Sequence, residues 1–209
     1  TEALMQISAL TLAIGSGLLA FMISVSPVQA QGTAEAHVKQ AEAFHQIGRL
    51  GDAERHYNLA VKQAFALGQN NPKIPEVLAS AASFYIARDN NGKAEQLYMQ
   101  AIDYKIRGVG RDHIDLAKLY MGLGLLYYGE YKYTQAEEQY RLALNIYEKK
   151  LRQDRNIPNF HKKEINLYLA NCLEEIGRCQ EKTNGANAAA AYRAKAGRIK
   201  ANPFGDYYN

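Results

Sequence analysis

A chain of 209 residues with 47% hydrophobic content is long enough to bury one real core and has no long low-complexity tract, which excludes a mainly disordered protein. Its formal net charge of +4 is spread along the sequence. That charge is too small and too diffuse to indicate nucleic acid as a partner, so none is expected.

The first element is apolar. No charged residue occurs between Ala3 and Val25, a run of 23 residues, and a helix of that length reaches across a hydrocarbon core of roughly 30 Å. Residues 1–31 are therefore expected to form a hydrophobic transmembrane or signal-anchor segment, with the membrane contacted through residues 3–25. The following Ser26 to Ala30, with small side chains at Val28 and Ala30, resembles a signal-peptidase site. Removal of residues 1–30, leaving a secreted or lumenal soluble binding protein, is the alternative. The apolar stretch is longer than the usual core of an export signal, which favours a retained anchor. The expectation is a single-pass membrane protein whose remaining domain lies on the translocated side, in a lumen, periplasm or intermembrane space.

Beyond the anchor the sequence repeats itself. Ala53, Tyr57 and Ala60 recur as Ala94, Tyr98 and Ala101, then as Ala136, Tyr140 and Ala143, at steps of 41 and 42 residues. Twelve residues before each first alanine stands a small residue, Ala41, Ala82 or Gly124, followed three places later by an aromatic one, Phe44, Tyr85 or Tyr127. Each unit reads as two antiparallel helices. The small residue permits a close approach of their axes, and the aromatic side chain fills the gap beside it.

These residues resemble the tetratricopeptide-repeat (TPR) family, whose units pair two antiparallel helices and stack into a superhelix. The long period, Gly110-Arg111-Asp112-His113 before the third unit and the run from Ala143 to Lys150 closing it are similar to the kinesin-light-chain type. His113 is read as a turn residue. A fourth unit is degenerate: Ala170 and Cys172 lie in its first helix, and Ala188 and Tyr192 in its second. Ala136 and Ala188 are 52 residues apart, so about ten have been inserted, around residues 155–160 and 180–185. An altered terminal unit suits a cap, whose outer face meets water. The expected fold class is thus all-α, a TPR solenoid of antiparallel helix pairs with three clear repeats and a degenerate fourth, preceded by a single transmembrane helix. The repeat domain spans 34–201, in units of about 34–70, 74–110, 114–157 and 160–201, and 202–209 form an aromatic C-terminal tail. Cys172 and Cys179, seven residues apart in one helix, have backbones separated by about 10 Å and are expected to be free thiols.

Stacked pairs make a concave groove lined by first-helix residues that do not face the core. By phase these are Val38, Glu42 and His45; Ala79, Ser83 and Ile86; Lys118, Met121, Leu125 and Tyr128; and Leu167, Asn171 and Glu174. The middle of this set is mixed apolar and aromatic, which suits a helix or extended segment of a protein partner. Packing of Met121, Leu125 and Tyr128 against the neighbouring unit is the other reading of that middle. The family members that hold chaperone C-termini grip a carboxylate with Lys, Asn and Arg. Here the corresponding places carry Val38, Glu42, Ser80, Lys118 and Gly122, so no chaperone C-terminal carboxylate binding is expected. Phe204, Tyr207 and Tyr208 in the tail either dock onto a partner or fold back on the last unit.

No chemistry is indicated. His37, His45, His56, His113 and His161 form no metal-spaced pair along the chain, no phosphate loop or nucleophile signature occurs, and no catalytic residue, metal or cofactor is expected. Small single-span proteins of this layout resemble assembly factors of photosynthetic and respiratory complexes. The resemblance implies a membrane-anchored, non-enzymatic interaction scaffold, an accessory subunit or assembly factor of a larger membrane protein complex, with subunits of that complex as partners.

Overall fold

Ala53, Tyr57, Ala60 and Ala64 recur every three to four residues and are all buried, which is the stripe that folds a segment into a helix with one covered face. The same pattern runs through the chain. The computed structural model describes residues 27–66, 68, 71–154, 156–205 and 207, with side chains from residue 33. Among them all regular structure is helical: α1 (Pro27–Gln46), α2 (Leu50–Ala66), α3 (Ile74–Ala87), α4 (Asn91–Val109), α5 (Ile114–Gly129), α6 (Tyr133–Gln153), α7 (Asn159–Asn184) and α8 (Ala186–Ala201). Consecutive helices pack as α1 with α2, α3 with α4, α5 with α6 and α7 with α8, and each pair rests on the next. The first helices α1, α3 and α5 also touch one another in series, forming one side of an all-helical solenoid.

Turn chemistry repeats with the units. Gly48 (φ 76°), Asp89 (φ 53°) and Tyr131 (φ 62°) hold the left-handed conformation at the three corresponding turns between first and second helix. Only the first is glycine. A side chain in that conformation costs roughly 1–2 kcal/mol per residue. Tyr131 is 79% exposed and has little packing to lose beyond an edge contact with Tyr133. Tyr131→Gly is therefore expected to raise the midpoint of thermal unfolding, and a lowered midpoint in a circular-dichroism melt would count against strain at this turn. Two helices, α4 and α5, also start under side-chain control. Asn90 accepts from the Lys93 N–H at 3.3 Å, and His113, before α5, accepts from the Asp115 N–H at 3.3 Å.

The close approach inside the third unit needs glycine. A Cβ on Gly124 would lie 2.5 Å from the Tyr140 ring. Between units, the tyrosine that follows the small residue does more than fill a gap. Tyr85 donates to Glu54 of the preceding unit at 3.1 Å, and Tyr127 donates to Glu95 at 2.6 Å. Burial first, then the Glu95 hydrogen bond and charge, push the Tyr127 hydroxyl up, so it stays a donor. In the last unit a leucine, Leu173, replaces the tyrosine. Glu137 there accepts from Gln180, at 2.7 and 2.8 Å, and pairs with Arg141 at 2.6 Å. Around residues 180–185 the chain continues α7 to Asn184 and turns at Gly185 (φ 88°). Cys172 and Cys179 are free and buried, and burial pushes both thiols up to about 12.

The expectation of a transmembrane helix ahead of the repeats, and of a single-pass membrane protein, is corrected here. No helix of the described residues is long and apolar enough to cross a membrane. α1 begins at Pro27 and carries Glu35, Lys39 and Glu42, all exposed, as befits the outer face of a helix packed in a solenoid. Residues 3–25, on which the anchor was placed, lie outside the described residues.

Candidate partner groove

Two cavities lie side by side along the first helices. One, of about 360 Å³, opens between α3 and α5 and is lined by Glu76, Ala79, Ser80, Lys105, Asp115 and Lys118, among others. The second, of about 270 Å³, lies between α5 and α7, with Ile114, Tyr147, Ile157, Pro158, Glu164 and Tyr168 in its walls. Asp115 and Lys118 border both, so the two cavities adjoin along the first helices.

Helix geometry sets this arrangement. Ala64, Lys105 and Tyr147 stand four residues after the last repeated alanine of their units, on the buried stripe of the second helix. At this inward position the second unit carries a cation. Lys105 is 8% exposed and its ammonium reaches Asp115 at 2.7 Å. Burial alone would raise the Asp115 carboxyl, but the Lys105 hydrogen bond and charge, helped by His113 and Lys118, hold it below the usual carboxylate range. Tyr147 in turn stacks on Tyr168, with ring centroids 5.7 Å apart and planes 16° from parallel. Tyr168 donates to Glu164 at 3.1 Å, and that bond foremost, then burial, raises its hydroxyl. Lys150 pairs with Asp154 at 3.0 Å on the rim. The Lys118 ammonium stands 5.4 Å from the Tyr168 ring centre, and no carboxylate among the described residues lies within ion-pair distance of it. The groove thus offers a stacked aromatic wall, aliphatic surface at Ile114, Ile157 and Ile165, and the Lys118 ammonium beside the Tyr168 ring.

Of the first-helix residues selected by phase, Ala79 and Lys118 line these cavities. The others are used elsewhere. Val38 and Ile86 pack against the core, and His45 meets Phe84 edge-on at 5.4 Å. Ser83 donates to the Ala79 carbonyl at 3.1 Å and lies 2.9 Å from the Tyr98 hydroxyl. Met121 accepts from the Cys172 thiol at 3.3 Å, and Tyr128 packs edge-on against Tyr133 at 5.2 Å. Glu174 is paired with Lys200 at 2.6 Å. Glu42, Leu125 and Asn171 are exposed and Leu167 half-buried, all outside the two cavities. The groove occupies the N-terminal halves of the first helices, because toward their C-terminal ends sulfur and aromatic contacts close the helices on one another. Phase along a helix cannot separate its two ends. A sequence signal for the groove was nonetheless present in Lys105, a cation on an otherwise apolar stripe.

The tail folds back. Asn166, 1% exposed, donates to the carbonyls of Pro203 at 2.8 Å and Gly205 at 3.3 Å. The Tyr207 hydroxyl donates to the Asn202 carbonyl at 2.6 Å, and Lys163 lies over the Phe204 ring at 5.6 Å. Tyr208 lies outside the described residues. Asn166 falls where the earlier units have Leu78 and Tyr120. A polar side chain suits the last unit because its neighbour is an irregular segment with unpaired carbonyls.

The comparisons with known proteins agree with this architecture. The tetratricopeptide-repeat family model matches residues 73–149, so the second and third helix pairs are tetratricopeptide repeats by that match. Among solved structures it is similar to BtubC (BKLC) from P. vanneervenii, at 21% identity and TM-score 0.69, over 84% of this chain and 66% of that one. MamA follows at 19% identity and TM-score 0.54, over 83% of this chain and 82% of that chain. A putative kinesin light chain with nearly identical TPR-like repeats, from Podosopora anserina, is similar at 16% identity and TM-score 0.52, over 80% and 94%. At such identities the likeness is one of fold. The chain spans slightly less than two thirds of the length of the first of these structures. No curated protein matches the sequence significantly.

Proposed function

We propose that this chain is a non-catalytic scaffold that holds a segment of a partner protein in the groove between α3, α5 and α7, and that it serves a larger protein complex as an accessory or assembly subunit. The observation that carries this reading is that the two cavities adjoin at Asp115 and Lys118. A row of adjoining pockets along parallel helices fits an extended or helical peptide, whose successive side chains enter successive pockets. The repeats support an interaction role, and the groove's own ionisable groups are largely engaged with one another, Lys105 with Asp115 and Lys150 with Asp154. A chaperone-type C-terminal carboxylate is not the proposed ligand, since of the residues that would grip it only Lys118 is present.

The test is a peptide-display selection on the purified chain, followed by binding measurements on Lys118→Ala and Tyr168→Ala. Loss of a central aromatic or cationic contact is expected to weaken a selected peptide by at least about tenfold, roughly 1.4 kcal/mol. Peptides that bind both variants as tightly as the unaltered chain would place the interaction on another surface.

A further inference from the structure

The fold brings together two histidines that stand nineteen residues apart in sequence. His37 on α1 and His56 on α2 face each other with their Nδ1 atoms 2.9 Å apart and ring centroids 5.0 Å apart. Their equivalents in the second unit are Leu78 and Leu97, 1% and 9% exposed. Packing between first and second helix is thus served by a leucine pair in the second unit, and the first unit places two nitrogen ligands there instead. Around them stand Phe44, tilted against His56 at 5.2 Å, and on α2 Arg55 and Asp52. Asp52 is engaged by Arg49 and Arg55 at 2.5 and 2.7 Å.

We infer that His37 and His56 form a two-imidazole chelate for a late first-row divalent cation, Cu(II) or Ni(II) in preference to Zn(II). The spacing argues for this class. Two nitrogens 2.9 Å apart, each about 2.0–2.1 Å from a common metal, subtend about 90° there. A right angle is the bite of square-planar and tetragonal coordination, which Cu(II) and Ni(II) adopt, whereas a tetrahedral Zn(II) site would hold the nitrogens roughly 3.3 Å apart. Among the described residues no third His, Cys, Asp or Glu completes a metal set, so water fills the remaining positions and the site is an open one. Burial, then the charges of His37 and Arg55, lower the His56 imidazole against the opposing pull of Asp52. In the free pair one Nδ1–H donates to the other Nδ1. Metal binding at both Nδ1 atoms moves that proton to Nε2 of the same ring, and no proton leaves the neutral pair.

Isothermal titration of the untagged full-length chain with Cu(II) or Ni(II) tests the inference. One equivalent per chain is expected at pH 7.5, lost at pH 5 where protons compete for the imidazoles, and lost in a His37→Leu/His56→Leu variant, which installs the second unit's leucine pair. His161→Ala should bind as the unaltered chain does. Equal binding by the double variant, or no saturable binding by the unaltered chain, would overturn the assignment. If the double variant does not fold, electron paramagnetic resonance of the Cu(II)-loaded unaltered chain decides: coupling to two imidazole nitrogens supports the chelate, and coupling to fewer overturns it.

Discussion

Tyr140→Ala is expected to destabilise the chain by about 3–5 kcal/mol, the usual cost of emptying a buried aromatic site. Tyr140 is 1% exposed and lies against Gly124 in the tightest approach of the third unit. Its hydroxyl is buried without a hydrogen-bond partner, and burial above all raises it far out of its normal range. Tyr140→Phe removes an unsatisfied polar atom and should leave stability unchanged or raise it by about 1 kcal/mol. Gly124→Ala supplies the third arm. Alanine gains about 1 kcal/mol in helix propensity, but its Cβ would meet the ring at 2.5 Å, so a net loss of about 1–3 kcal/mol is expected. That loss should vanish in the Tyr140→Ala background, since the ring that causes the clash is gone. Urea unfolding of these four variants and the unaltered chain measures all of this. Equal effects of Gly124→Ala in both backgrounds would show that the glycine serves something other than room for the ring.

Asp115→Ala is the second strong perturbation, because it leaves the Lys105 ammonium without its carboxylate in a position 8% exposed. A loss of about 1–3 kcal/mol is expected, kept to that range because the Asp115 side chain is itself 45% exposed and partly screened. Lys105→Met, which removes the charge and keeps the stem, should be close to neutral. The pH dependence has a definite sign. The Asp115 pKa is depressed in the folded state, so its contribution is complete above the ordinary carboxylate range, near pH 4, and is lost as pH falls through the lower folded value. Lys105→Met should therefore flatten the acid limb of a stability–pH profile. An unchanged limb would mean that other carboxylates govern acid unfolding.

The repeats were legible because identity at a fixed step is a property of sequence. Ala53, Ala94 and Ala136 needed no coordinates to be recognised as one position, and Gly124 was legible as a close approach because its equivalents are alanines. The partner groove was not. Helical phase places Lys118, Met121 and Leu125 on one face, but which of them meets open space depends on contacts such as Cys172 with Met121, from a helix some fifty residues away. Lys105, Tyr147 and Tyr168 reach the groove from buried stripes or from the altered fourth unit, where the period no longer guides. The nearness of His37 to His56 is not visible in their sequence spacing for the same reason: it is made by the turn at Gly48. The apolar run at residues 3–25 suggested a membrane helix, and no described helix has that character.

The joint between units, a tyrosine reaching back to the glutamate after the repeated alanine, has a consequence for how such a chain can change length. Excising residues 54–94 would fuse Ala53 directly to Glu95. Tyr127, now facing the next unit back, would still find a glutamate in the place it uses today. Because units in such arrays contact only their neighbours, duplication or loss of one such 41-residue block leaves every seam chemically the same. The array can thus be lengthened or shortened by recombination between its own copies, and the reach of its groove adjusted a unit at a time.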